Sequence, residues 1–377
     1  MGTIRLIIAL AVVSAHIGHD GWPYIGSTRA IHAFMIIAGF YAAMLLGGRY
    51  SSGLRPIRAF YFSRFARLYP TFIVTVGLTV CWSWWAMPSF PDLWSPARHL
   101  VAISEKLSAP AATLLWTPNI TLLGSDIPAL LNLADGSRVE IAHPWPEPPC
   151  TEAWMWLGYT LLLPPSWSLG MILWFYLAAP LVVRPPHLLA TSAWGLASMG
   201  CWLAFGSLFF YEGYFVAPLW FWLFCLGVLS QMGWSRYQGS LERWMSRISV
   251  RSTVFAFCTL FFVWCFTMDA NLGTIPRALL TALVLPFAVT SSASSVLDRY
   301  MGKLSYPVFC GHMLVVSVVS VITVSLGISH HAVFPAAMWG TVLYAVLLIR
   351  YVEDPLEPLR SRASEWIRTG RPASSAS

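Results

Sequence analysis

The stretch RLIIALAVVSAHIGHD, residues 5–20, starts on an arginine, runs through apolar side chains and closes on His16, His19 and Asp20. Its length and hydrophobicity suit a membrane helix, where an ionisable residue marks a functional site by default. Arg5 and His16 are about three helical turns apart, so they share one face and stand roughly 16 Å apart along the axis. They cannot touch, but they can hold the two ends of one elongated ligand. Plainer readings stand beside this one. Arg5 also suits a positive-inside anchor, and His16 a packed, hydrogen-bonded core residue. Arg5, the apolar run and Val13-Ser14-Ala15 also have the layout of a secretory leader and its cleavage site.

Comparable apolar runs recur along most of the chain. Of the 377 residues, 57% are apolar and only 10% charged, with a mean hydropathy of +0.64. That is too little charge to cover the surface of a soluble domain. The expected fold is an all-α polytopic membrane protein of about ten transmembrane helices. The spans fall near 5–20, 30–47, 69–86, 168–183, 188–210, 214–232, 252–268, 276–293, 304–326 and 332–352. Placing both termini in the cytoplasm puts 18 of the 23 Lys and Arg residues inside, a strong positive-inside bias. The net charge of +7 is therefore a topology signal and not a nucleic-acid footprint.

The chain thus divides into a membrane unit, residues 1–355, and a cytoplasmic tail, residues 356–377, which ends in a polar PASSAS. Residues 87–167 form an external loop rich in Trp and Pro, with short interfacial or re-entrant helices expected over 98–117 and 152–163. Its tryptophans suit either an interfacial belt or a platform for sugar rings. There is no soluble domain and no internal repeat. The seven cysteines form no disulfide framework, since six fall in or beside apolar runs and only Cys150 is in a polar loop. No CxxC or Cys/His spacing points to a metal.

A second charged motif precedes the third span, in AFYFSRFARLYP, residues 59–70. Arg64 and Arg67, at i and i+3, put both guanidinium groups on one helix face. Such forks suit phosphate oxygens, and Arg55 and Arg58 are placed to extend the site. Positive-inside charge alone accounts for the signs but not for the spacing.

Five segments, in order along the chain, resemble the membrane acyltransferase-3 family. RLIIALAVVSAH resembles its arginine–ten residues–histidine motif, and FSRFARLYP its RxxR segment with a trailing Tyr-Pro. SWSLGMILWFYLAAPLV, residues 166–182, is similar to the tryptophan–serine–leucine entry to its fourth span. MGKLSYPVFCGHMLV, 301–315, and RYVEDPLEP, 350–358, resemble its late glycine–serine–tyrosine–histidine stretch and its closing Glu-x-Pro. Two positions depart from the pattern: Ile172, where the family usually has glutamate, and Ala38, where it usually has serine.

The resemblance implies an enzyme that moves an acyl group, usually acetyl, from cytoplasmic acyl-CoA to a hydroxyl of an extracytoplasmic carbohydrate or glycolipid. It also implies a place in the bacterial inner membrane. Arg5, Arg64 and Arg67 would take the donor, with Ser305 and Tyr306 as further contacts on the same side. His16 would serve as general base, tuned by Asp20, and an acyl-histidine intermediate or direct transfer both fit. His32, opening the second span, is a rival base, and His312 would help shape the cavity. The competing class is a transporter of an anionic or lipid-linked substrate, although the inverted repeats typical of transporters are missing.

The charge split generates a direct test of topology. A cysteine introduced at Pro146 should react with a membrane-impermeant reagent added to intact cells, and one at Arg243 should not. Reversed labelling would overturn the orientation.

Overall fold

The computed structural model describes residues 1–17, 27–51, 53–86, 89–90, 95–135, 138–141, 154–183, 188–206, 216–267, 272–293 and 295–371. Asp20, His19 and Pro146 lie outside these residues. Helices account for nearly all of the structure. They are α1 (Gly2–Ile17), α2 (Ser27–Gly47), α3 (Leu54–Ala86), α4 (Pro96–Ser104), α5 (Ala109–Thr121), α6 (Ser166–Val183) and α7 (Leu188–Phe205). There follow α8 (Ala217–Trp244), α9 (Ile248–Thr267), α10 (Thr274–Ser292), α11 (Val296–Ser325), α12 (Val333–Leu348) and α13 (Asp354–Thr369). Among the described residues, nine helices are long and apolar enough to cross a membrane, with α1 as a shorter apolar tenth. The chain is an all-α polytopic membrane protein, and each expected span has a helix at its place.

Large apolar side chains on the outer helices face outward: Leu181 on α6, Leu189 on α7 and Trp339 on α12 are 76%, 84% and 75% exposed. A soluble protein would bury them. In a bilayer they meet lipid, while the backbone groups behind them are satisfied within each helix. The centre of the bundle is held by α2, which packs on α8, α6 and α1, while α11 packs on both α1 and α12.

With lipid on one side and protein on the other, apolar burial gives little net drive for helix pairing, so close backbone approach matters more. At the α2–α8 crossing Gly39 faces the Phe224 carbonyl and Gly227 the Ile36 carbonyl, and a Cβ at either position would overlap that carbonyl. The glycines are what let the two helices come this close.

Hydropathy marks only the lipid-facing part of several helices. α3 starts at Leu54, well before the expected 69, α8 runs on to Trp244, and α11 starts at Val296. The backbone hydrogen-bond ladder continues past the apolar stretch as long as propensity permits. One expectation needs correction. Among the described residues of 152–163 there is no α-helix: Trp154–Trp156 is a strand and Leu157–Thr160 a single 3₁₀ turn. The strand joins Leu131–Ala134 and Arg138–Ile141 in an antiparallel sheet with Leu131–Ala134 at its centre. Over 356–369 the segment read as the tail is helical. It forms the amphipathic α13, joined to α12 by a π-helical turn, Ile349–Glu353, and docked on α3. Tyr50–Ser364 and Arg49–Glu365 hydrogen bonds, 3.1 and 3.2 Å, fix it there. The start of α1 and the whole of α13 thus lie at one end of the bundle.

The α2–α8 crossing can be probed with two substitutions. Gly227→Leu should cost at least about 1–3 kcal/mol, because rigid backbone cannot make room for it. Gly233→Ala, on the same helix with open space around it, should be neutral or slightly stabilising. Thermal unfolding of the two purified variants in detergent checks both, and equal behaviour would show that the crossing has room for a side chain.

Candidate active site

The site is built on the parallel pair α1 and α11. Their lower ends nearly touch: a Cβ on Gly302 would sit 3.0 Å from Gly2 Cα and 3.9 Å from Arg5 Nη1. Asp298 completes this contact by accepting from the backbone N–H groups of Gly2 (2.7 Å) and Thr3 (2.8 Å). These are two of the donors a helix start leaves unpaired, and the carboxylate also suits the positive end of the helix dipole. Helix α1 is thereby held with Arg5 facing inward.

Arg5 opens into a cavity of about 200 Å³ that brings together the residues expected to hold the donor. Arg5, Arg64, Arg67, Ser305 and Tyr306 all line it, although they come from three helices far apart in the chain. Among the described residues its lining includes no carboxylate. Ile172 and Ala38, the two departures from the family pattern, are both in its wall, so the missing glutamate leaves the cavity more positive. A nearby acid does not stand in for it. Asp126 lies against Gly170 and accepts from Trp174 Nε1 at 3.1 Å, on the opposite face of α6 from Ile172. Burial pushes the Asp126 carboxyl up to about 6.

The hydroxyls of Ser305 and Tyr306 are already engaged. Ser305 donates to Gly302 O at 2.9 Å and Tyr306 to Leu68 O at 2.6 Å. Tyr306 therefore ties α11 to α3 beside Arg67. Arg55 and Arg58 do not reach the cavity; both are exposed, and Arg55 points to the Thr369 carbonyl.

At the other end of the α1–α11 pair is His16. Its ring lies 5.0 Å, centre to centre, from His312, with the planes tilted by 56°. Each imidazole is oriented by its own helix: Nδ1 is 2.8 Å from Val12 O in His16 and 2.7 Å from Phe309 O in His312. A carbonyl oxygen only accepts, so in the neutral rings Nδ1 carries the proton and Nε2 the lone pair. His312 Nε2 is buried and has no hydrogen-bond partner among the described residues, whereas the His16 ring is exposed. Two neutral rings in this state cannot donate to each other through Nε2. Of the two, the exposed His16 ring is the one a hydroxyl can approach. Phe309 links the two ends, its ring 5.6 Å from Phe34 in the cavity wall and 6.1 Å from His312.

His32 is elsewhere. It is buried, stacked at 4.4 Å on Trp220, beside the Trp202 and Trp222 rings. The rival base is thus set in an aromatic cluster on the α8 side of α2. The pairing of His16 with His312 had no counterpart in sequence spacing. The sole sequence signal was a second histidine at mid-depth of another span.

An arginine-lined cavity between α1, α3 and α11 and an oriented histidine pair at the far end of α1 and α11 are the polar features of this apolar bundle. The chain belongs to the acyltransferase-3 family, whose profile, described as an acyltransferase domain, matches residues 2–350. It is a membrane acyltransferase. No curated protein and no solved structure matches it.

His16→Ala should lower acyl transfer by roughly 10²–10⁴-fold, the usual contribution of a general base, while the protein stays folded. The acidic limb of the pH–rate profile should vanish with it, because the active form of a base is the neutral one. His312→Ala should also lower turnover, and His32→Ala should reduce thermal stability more than turnover. Near-normal turnover in a folded His16→Ala protein would remove the residue from the mechanism.

Proposed function

We propose that this acyltransferase takes an acyl group, acetyl in the simplest case, from acyl-CoA and delivers it to a hydroxyl of an extracytoplasmic carbohydrate or glycolipid. The observation that carries this reading is the polarity of the site: a cavity lined by Arg5, Arg64 and Arg67 at one end, and the His16–His312 pair at the other end of the parallel helices α1 and α11. Arg5 and Arg64 have no carboxylate within ion-pair distance among the described residues, which suits polyanionic phosphates. The roughly 16 Å from Arg5 to His16 is a gap that a pantetheine arm can bridge. With the arginine end in the cytoplasm, as the positive-inside bias favours, the donor arrives where CoA is made, and the histidines face an acceptor approaching from outside. A bacterial inner membrane is the setting this arrangement suits.

The chemistry follows from the lone pair on His16 Nε2. The acceptor hydroxyl gives its proton to Nε2 as its oxygen attacks the thioester carbonyl carbon. The tetrahedral intermediate collapses by breaking the C–S bond. The thiolate leaving on CoA then takes the proton from the imidazolium, giving the ester and CoA-SH. His312 packs against His16 and supports its ring from the α11 side.

Donor recognition is tested by direct acetyl-CoA binding to purified variants. Arg5→Ala and Arg64→Ala should each weaken it by roughly ten- to hundred-fold, the scale of a lost charge-assisted hydrogen bond. Arg64→Lys should retain part of the affinity because a charge remains. Unchanged affinity in the folded double variant would assign these arginines to topology alone, and absence of acetyl-CoA binding by the unsubstituted protein would overturn the donor assignment.

A further inference from the structure

Arg67 differs from the other two cavity arginines in facing acids. Its Nη1 is 3.7 Å from Glu353 and 3.9 Å from Glu357, both long for an ion pair. Glu353 is in the π-helical turn before α13 and is buried. A buried carboxylate with no cation would be costly, and here Arg67 alone would be the nearest to supply one. Arg360, one helix further on, takes that task. Its Nη1 lies 2.8 Å from Glu353, its Nη2 binds Glu357, and Thr71 Oγ1 donates to the second Glu353 oxygen at 2.6 Å.

Arg360 itself is held by a vacancy in α3. Pro70 has no N–H, so the carbonyl four residues earlier, Ala66, loses its helical partner. Arg360 Nη1 donates to that oxygen at 3.1 Å. The guanidinium is thus fixed between a bare carbonyl on α3 and two carboxylates on the turn and on α13. Within this cluster two carboxylates meet two guanidiniums, and the shorter contacts go to Arg360.

We propose that Arg360 is a positioning residue for the donor site: by engaging Glu353 and Glu357, it keeps Arg67 available to phosphate in the cavity. Removing Arg360 turns both acids onto Arg67, drawing its guanidinium from the cavity and cancelling its charge. The cavity then keeps Arg5 and Arg64 only. This inference rests on acyl-CoA being the donor.

The test compares two donors, acetyl-CoA and S-acetylpantetheine, which has the same thioester and arm but no phosphates. With acetyl-CoA, Arg360→Gln should raise KM by roughly ten-fold, with kcat little changed, because one charge-assisted phosphate contact is lost. With S-acetylpantetheine its KM should not move. Adding Glu353→Gln to Arg360→Gln should restore the acetyl-CoA KM, since the acid that captures Arg67 is gone. Equal losses with both donors would mean that Arg360 merely supports the fold, and an unchanged acetyl-CoA KM in Arg360→Gln would also overturn the proposal. Should that variant not accumulate, Glu357→Gln decides: Glu357 is exposed, so the protein folds, and the acetyl-CoA KM should fall a few-fold as Arg67 is freed. No change there overturns the proposal. If the unsubstituted protein turns over S-acetylpantetheine but gains nothing from the CoA phosphates, the donor reading fails first and takes this inference with it.

Discussion

The contact between Gly2 on α1 and Gly302 on α11 sets where every functional group can be. Helices in lipid associate through close packing more than through apolar burial, and two glycines permit the closest approach. Once the lower ends are pinned, and Asp298 has capped α1, the parallel course of the two helices does the rest. Arg5 comes level with Ser305 and Tyr306, and His16 comes level with His312. The Tyr306 hydrogen bond to Leu68 then draws α3 into the same assembly and brings Arg64 and Arg67 with it. A site whose parts are spread over almost the whole chain is thus a consequence of one crossing.

Prolines within the helices reinforce this arrangement. Each one removes an N–H and leaves a carbonyl that hydrocarbon cannot satisfy. Pro70 leaves Ala66 O to Arg360, and Pro286 leaves Ala282 O to Ser230 on α8, at 2.6 Å. In both cases the gap in one helix becomes a hydrogen bond to another. These two defects are therefore cross-links between helices, and the one at Pro70 is close to the arginine-lined cavity.

The sequence revealed what depends on composition and local spacing. The spans were legible because lipid demands long apolar runs. The arginine end of the site was legible because i and i+3 share a helix face and an intramembrane charge is costly. Helix ends were not, because α3, α8 and α11 continue into water as ordinary polar helices that hydropathy does not register. Helix α13 was missed for the same reason: its charged face lowers the average, and only its docking on α3 shows why it is ordered. The segment 152–163 read as helix because its aromatic residues suit an interface, but cross-strand pairing of Trp154–Trp156 with Asn132–Ala134 decides its conformation. His312 stood out as polar in an apolar span, yet nothing local could place its ring against His16. Glu353 was visible within the Glu-x-Pro motif, but its burial and its competition for Arg67 depend on the fold.

The π-helical turn over Ile349–Glu353 bears on how this chain can vary over evolutionary time. A π turn holds one residue more than the α-helix around it, and such turns are kept where they serve a site. Here the extra residue sets the phase of everything downstream. Excising it would restore uninterrupted α-helix and rotate α13 by about 100° about its axis, one residue's step in a helix of 3.6 per turn. Arg360 would swing away from Ala66 and Glu353 together, while the span itself stayed equally apolar. The segment can therefore accept many exchanges of side chain but no change of length, a constraint that hydrophobicity alone would never impose.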